Sequence, residues 1–175
     1  GGGTVAGFDI NVEPEKIKTS IGYVSQRFSL YGDLNVMENL NFFGQIYGLS
    51  GQVLYQRIDE VLALTGLGEY RVRQAQLLSG CWRQKLGIAN GMLHKPRIIF
   101  LGEPTAGIDP LSRRSIWQLL QELASEGAAL FITTHYMEEA ERCDQLAFIS
   151  EGKLLKVGPP SAYKVIAPTL DEAFA

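Results

Sequence analysis

Leu78-Ser79-Gly80-Cys81-Trp82-Arg83-Gln84, followed by Ile98-Ile99-Phe100-Leu101-Gly102-Glu103-Pro104, decides how this chain folds. Ser79 is suited to cap a helix, which the sequence carries to about His94. The apolar run from Arg97 to Leu101 is short and bounded by turn residues, so it reads as a buried strand. The start of such a helix offers free backbone N–H groups to an anion. The strand delivers Glu103 to the carboxyl edge of a sheet, where open α/β folds bind their ligands.

The same alternation continues on both sides. Ile21-Gly22-Tyr23-Val24 reads as a short buried strand ending at Gln26, and residues 1–10 alternate weakly through Thr4, Val5 and Phe8. Asp109-Pro110 is an N-cap followed by proline at the first helical position; the helix turns Ile116, Leu119, Leu120 and Leu123 inward and stops near Gly127. Then come a strand from Leu130 to Thr133, a short helix from Tyr136 to about Arg142, and a strand from Leu146 to Ser150. A Glu151-Gly152 turn leads to a last strand from Leu154 to Val157. Strands alternating with helices imply a parallel α/β core with right-handed crossovers.

One stretch departs from this texture. Asn35 with Glu38 predicts a capping box that opens an amphipathic helix through Leu40, Phe43 and Tyr47 to Gly48. A second helix fits Gln52 to Thr65, with Val53, Ile58, Val61, Leu62 and Thr65 on one side. The expected division is an α/β part at 1–27, an all-helical subdomain at 28–78, the rest of the α/β core at 79–150, and a terminal strand turn and tail at 151–175.

Composition narrows the function. The net charge is -3 and no Lys/Arg block occurs, which argues against nucleic acid as a partner. Apolar runs such as Ala128 to Ile132 fall far short of the ~20 residues of a membrane span, so any membrane link comes through a partner. Cys81 and Cys143 lack metal-site spacing and read as reduced thiols of a cytosolic protein. The Gly-rich opening lacks the basic and apolar regions of a signal peptide.

Three strand ends place Gln26, Glu103 and His135 at one sheet edge. Glu103 can orient or deprotonate a water attacking a phosphate. Gln26 can meet the metal or the water, and His135 can bond a terminal phosphoryl oxygen. Singly, each has a plainer reading: Glu103 as a turn acid before Pro104, Gln26 as a loop amide, His135 as a cap for the next helix, Ser79-Gly80 as ordinary capping. Together they form a ring around a phosphate and its magnesium.

The order Gln26, LSGCWRQ at 78–84, IIFLGEPTAGIDP at 98–110 and His135 resembles the nucleotide-binding subunit of ABC transporters over essentially the whole chain. That resemblance implies a P-loop NTPase (RecA-like) core with an inserted helical subdomain. It makes these elements the Q-loop, the LSGG-type signature, the Walker B strand, the D-loop and the switch histidine. Glu103 is then the general base and His135 the γ-phosphate sensor. Gln26 meets magnesium, Ser79 and Gly80 contact ATP bound to the opposite subunit, and Asp109 lies across the dimer interface. The implied cofactors are ATP and Mg2+. The implied partners are a second nucleotide-binding subunit and a transmembrane permease subunit, received at Phe28-Ser29-Leu30-Tyr31, at the cytoplasmic face of the membrane. The same four residues read equally as internal packing. The compact helical stretch separates the chain from ABC-type DNA-repair and chromosome-structure ATPases. Trp82 and the Pro-Thr-Ala-Gly-Ile-Asp-Pro run resemble bacterial drug, lipid or polysaccharide export subunits.

Three departures limit the expected activity. No G-x-x-x-x-G-K-[ST] occurs, so the loop that cradles the β and γ phosphates is absent from these residues. By resemblance, Gly3 to Asp9 aligns downstream of that loop and its helix, which predicts an N-terminally incomplete core with an exposed, aggregation-prone sheet. Gly102 stands where the family places a magnesium-holding Asp, and Cys81 replaces the second signature glycine. Losing one electrostatic contact to a reacting centre costs ~3 to 4 kcal/mol, and such losses do not simply add. The leading expectation is an ATP-binding subunit of an ABC-type export system impaired in hydrolysis. The alternative is a non-catalytic remnant or interaction module that binds a membrane partner or an intact ATPase subunit. A P-loop GTPase is set aside because the 78–84 run has no role in one.

Overall fold

Thr4–Val5 (β1) and Phe8–Asp9 (β2) open the chain as a small antiparallel pair, closed by Ala6 and Gly7, both at positive φ. The computed structural model describes residues 1–26 and 30–164. Phe28 and Ser29 of the expected permease contact, and the end of the 151–175 tail, lie outside them. After β2 the Asp9 carboxylate accepts from the Asn11 and Val12 amides, and the chain enters α1 (Pro14–Ser20). Hydrophobic periodicity does not announce this helix, because it buries no residue.

β3 (Ile21–Val24), β4 (Ile98–Gly102) and β5 (Ala129–Thr133) form a parallel sheet in the order β3-β4-β5. Val24 lies beside Leu101 and Leu101 beside Ile132, so all three strands end at one edge. Between β3 and β4 the chain forms α2 (Val36–Ile46), α3 (Gly51–Thr65), two short 3-10 turns at Leu67–Tyr70 and Ala75–Leu77, and α4 (Gly80–Met92). Between β4 and β5 it forms α5 (Pro110–Ser125).

Strand alternation sorts the sheet into two unlike faces. Val24, Ile99 and Leu101 are buried on the face that receives α4 and α5. On the other face Tyr23 is 64% and Phe131 58% exposed, with the Phe100 ring 5.4 Å from that of Phe131. Facing glycines let α4 approach β3 backbone to backbone. A Cβ on Gly22 would run into the Gly91 carbonyl, and one on Gly91 would meet Val24 at 3.0 Å.

The capping box at α2 is formed. Glu38 N–H donates to Asn35 Oδ1 at 2.9 Å and Asn35 N–H to Glu38 Oε2 at 2.7 Å. In α3 the buried side is Leu54, Ile58, Val61, Leu62 and Thr65, and Val53 is 58% exposed, contrary to its expected inward position. The reason is phase: Val53 lies about 140° around the helix from Ile58, whereas Leu54 stands one turn before it. α5 buries Ile116, Leu119, Leu120 and Leu123 as expected, and Trp117 with them.

The chain divides into two compact units after Thr133. The second holds α6 (Met137–Ala140), β6 (Leu146–Ser150), β7 (Lys153–Gly158) and α7 (Ser161–Lys164). β6 and β7 pair antiparallel across Glu151-Gly152, both at positive φ. Ala140, Leu146 and Tyr163 form its small core, where the Tyr163 hydroxyl donates to the Leu146 carbonyl at 3.2 Å.

Candidate functional site at the carboxyl edge of the sheet

Gln26 follows β3 and Glu103 follows β4, so the parallel register brings two residues far apart in sequence to neighbouring strand ends. They touch: Gln26 Nε2 donates to Glu103 Oε2 at 3.1 Å. Glu103 is half-buried and held by its backbone, whose N–H donates to the Thr133 carbonyl at 3.0 Å and approaches the Thr133 hydroxyl at 3.3 Å. Its φ of 43° lies in the left-handed region, which L side chains occupy at a cost. The turn continues with Ala106 N–H donating to the Glu103 carbonyl.

Gly102 shapes this pair. A Cβ there would stand 3.1 Å from the Gln26 amide nitrogen and 3.6 Å from the Val24 carbonyl oxygen. The absence of a side chain therefore admits the Gln26 backbone to the end of β4.

Ser79 is the N-cap residue of α4, but its hydroxyl makes no capping bond and it stands exposed. The Cys81 thiol is directed at the first turn of α5, with Sγ 4.0 Å from the Ser112 carbonyl oxygen. Trp82 packs its ring against Tyr70 at 4.5 Å and lies over Gly66, seating the start of α4 on the 3-10 turn at Leu67–Tyr70. Asp109 caps α5 by accepting from the Leu111 and Ser112 amides at 3.1 and 3.0 Å. The Ser112 hydroxyl and amide hold its carboxyl below the usual range.

The structure thus joins Gln26 to Glu103 and sets Ser79-Gly80 and Asp109 at two helix starts of the same unit. His135 belongs to the second unit, exposed, with its ring 4.1 Å from that of Tyr136. It does not cap the next helix. Tyr136 is the N-cap of α6, and the Thr134 hydroxyl accepts from the Tyr136 amide and donates to Glu139 at 2.7 Å.

Sequence reasoning does not single out Asn39. It is fully buried on α2, with Oδ1 accepting from Tyr31 N–H at 3.0 Å and Nδ2 reaching the carbonyls of Tyr31, Leu34 and Asn35. It fixes the loop that presents Tyr31, whose ring meets Phe42 at 4.7 Å. A polar residue within the apolar stripe of Val36, Leu40 and Phe43 is the signal that could have found it.

Among the described residues, no group of three or more His, Cys, Asp or Glu side chains converges as a metal site. Gln26 and Glu103 supply one amide and one carboxylate, and Gly102 adds no side-chain oxygen. This donor set does not by itself fit Mg-ATP.

The three-stranded parallel sheet, with a helical insertion between its first two strands and the Gln26–Glu103 pair at its strand ends, matches the P-loop NTPase fold. A solved structure described as the ATP-binding subunit of an ABC transporter superposes on it with a TM-score of 0.82. That match covers 98% of this chain and 73% of the other at 24% identity, and so defines the fold. Residues 2–106 match the family described as ABC transporter, and the chain belongs to that family. It is 36% identical over 97% of its length to the probable multidrug ABC transporter ATP-binding protein YbhF of Escherichia coli, of which it covers 31%. It is 38% identical over 89% of its length to the linearmycin resistance ATP-binding protein LnrL of Bacillus subtilis, of which it covers 50%. The chain therefore spans half or less of the length of these curated relatives. Among the described residues no helix is long and apolar enough to cross a membrane.

Proposed function

We propose that this chain is part of the ATP-binding subunit of an ABC-type export system, which couples ATP binding and hydrolysis to transmembrane transport. The observation that carries this reading is the hydrogen bond from Gln26 to Glu103 at the sheet edge, 3.1 Å long, within a chain of this family. In the complete subunit Glu103 would act as general base, Gln26 would address the water or magnesium, and His135 would sense the γ-phosphate. Ser79 and Gly80, at a helix start where the Ser79 hydroxyl makes no capping bond, address ATP held by a second nucleotide-binding subunit, and Asp109 lies at that boundary. Export is favoured by the names of the relatives, a multidrug and a drug-resistance system.

The permease partner is received at Phe28 to Tyr31 on the cytoplasmic face of the membrane. Support comes from Tyr31, half-exposed and held in place by Asn39. The helical stretch at 28–78 is the subdomain that carries this contact, and 1–27 with 79–150 forms the nucleotide core.

Hydrolysis by these 175 residues alone is impaired. They contain no phosphate-cradling loop, and Gly102 replaces a metal-holding carboxylate. The same two features favour the second reading, a module that binds a permease or an intact ATPase subunit without turnover. Equilibrium dialysis with Mg-ATP decides the point: no saturable binding is expected up to millimolar nucleotide. Saturable binding that is lost in Ser79→Ala or His135→Ala would overturn the impaired reading.

A further inference from the structure

The C-terminal end of α4 is a junction that the nucleotide chemistry does not explain. His94, two residues beyond the helix, stacks its ring on Tyr47 at the end of α2, with centroids 3.8 Å apart and planes 19° apart. Its Nε2 lies 3.0 Å from the carbonyl oxygen of Ile21 in β3, a distance and partner that require an N–H at that nitrogen. Its Nδ1 is buried and has no hydrogen-bond partner among the described residues. From α3, Arg57 donates to the carbonyls of Leu93 at 2.8 Å and Met92 at 3.0 Å, closing the end of α4. One imidazole thus bridges the helical insertion and the strand that leads to Gln26, immediately beside the Gly22 to Gly91 backbone contact.

We propose that His94 is a positioning residue: as a neutral imidazole it pins the helical insertion to β3, and its protonation releases the insertion from that strand.

The chemistry of the ring supports this. A neutral imidazole with its proton on Nε2 satisfies the Ile21 carbonyl and leaves Nδ1 a bare acceptor. Protonation would add an N–H at Nδ1, buried and, among the described residues, without an acceptor; the Nε2–H bond to Ile21 and the Tyr47 face both suit the cation, so the unpaired Nδ1–H is what drives the release. The titratable and charged groups around it are the Tyr47 phenol from α2, Arg57 from α3 with its partner Glu60, and Lys95, which also pairs with Glu60. Among the described residues no carboxylate enters the balance that sets its charge. Burial first, and then the Arg57 guanidinium, lower its affinity for a proton, against the opposing pull of the Ile21 carbonyl. The linkage follows in sign. Above the ordinary histidine value the pin is intact, and stability falls as pH drops below that value, because the unfolded chain takes up the proton first. The loss is complete once pH passes the lower folded value.

The test uses the whole chain, in which His94 is one of only two histidines. Ring resonances are followed by NMR through an acid titration, and the signal that remains in His135→Gln, a change at an exposed position, assigns His94. The expected result is an Nε2–H tautomer that titrates below the ordinary histidine range, with faster amide exchange of α2 on acidification after correction for intrinsic rates. His94→Gln abolishes that pH response. Tyr47→Leu, which removes the stack and leaves the Ile21 bond, speeds α2 exchange already at neutral pH. Titration at the ordinary histidine value, a proton on Nδ1, or an α2 response that survives in His94→Gln would each overturn the proposal. The first two read the unsubstituted chain and stand even where a variant does not fold.

Discussion

Replacing Asn39 with leucine tests how the loop before α2 is held. The substitution keeps the branched shape, adds some volume, and removes four hydrogen-bond contacts, to Tyr31 N–H and to the carbonyls of Tyr31, Leu34 and Asn35. The four are not equal. Each carbonyl retains a second partner: Leu34 N–H for Tyr31, Ala75 N–H for Leu34, and Asn39 N–H for Asn35. Tyr31 N–H loses its acceptor. An orphaned donor costs about 1 to 3 kcal/mol, and the three weakened carbonyls add only a fraction of a further bond each. Leucine recovers part of this through apolar burial, since the site is fully closed to solvent. The expected net loss is about 2 to 3 kcal/mol, which for a chain of this size lowers the melting temperature by roughly 4 to 12 °C. Thermal unfolding followed by circular dichroism measures the total, and amide exchange locates it. The Tyr31 amide should lose protection while the core amides of β4 keep theirs. An Asn39→Leu variant within about 0.5 kcal/mol of the parent, or one in which Tyr31 stays protected, would refute the reasoning, because surface substitutions already reach that size.

Gly102→Asp should not restore hydrolysis: its Cβ meets the Gln26 amide nitrogen at 3.1 Å, and no phosphate loop is supplied. Phosphate release above background in that variant would mean the nucleotide site lies elsewhere. Asp109 stabilises α5 as a carboxylate held below its usual range by Ser112. That contribution is present above the unfolded carboxylate pKa and disappears as pH falls through the lower folded value. Asp109→Asn should flatten this acid limb of a pH series of thermal melts. The open sheet face predicts self-association through Tyr23 and Phe131, both more than half exposed. Tyr23→Lys with Phe131→Lys should shift light scattering toward the monomer, and a parent chain that is already monodisperse would contradict the prediction.

What could be read from the residues follows the range of the interactions that decide each feature. The α2 cap, the α5 cap and the Glu151-Gly152 turn depend on contacts within three positions, and each forms where its residues stand. Strand order and the meeting of Gln26 with Glu103 depend on register between distant segments; the alternation of elements implies a shared edge but no contact distance. Asn39 is marked in the sequence only as a polar residue in an apolar stripe, and His94 not at all, because their partners are backbone groups and a ring that the fold brings near. α1 escapes it because it buries nothing. Gly102 shows the limit most sharply. As a letter in the chain it reads as one missing carboxylate. In the fold it is also the space through which the Gln26 backbone approaches the end of β4. A side chain at 102 would crowd that backbone by a few tenths of an ångström, and the Gln26 side chain reaches Glu103 from the same segment. A glycine at 102 thus both withholds a side-chain oxygen and leaves room for the Gln26 backbone beside the end of β4. An aspartate at 102 therefore requires a shift of the Gln26 backbone, the segment that carries the bond to Glu103.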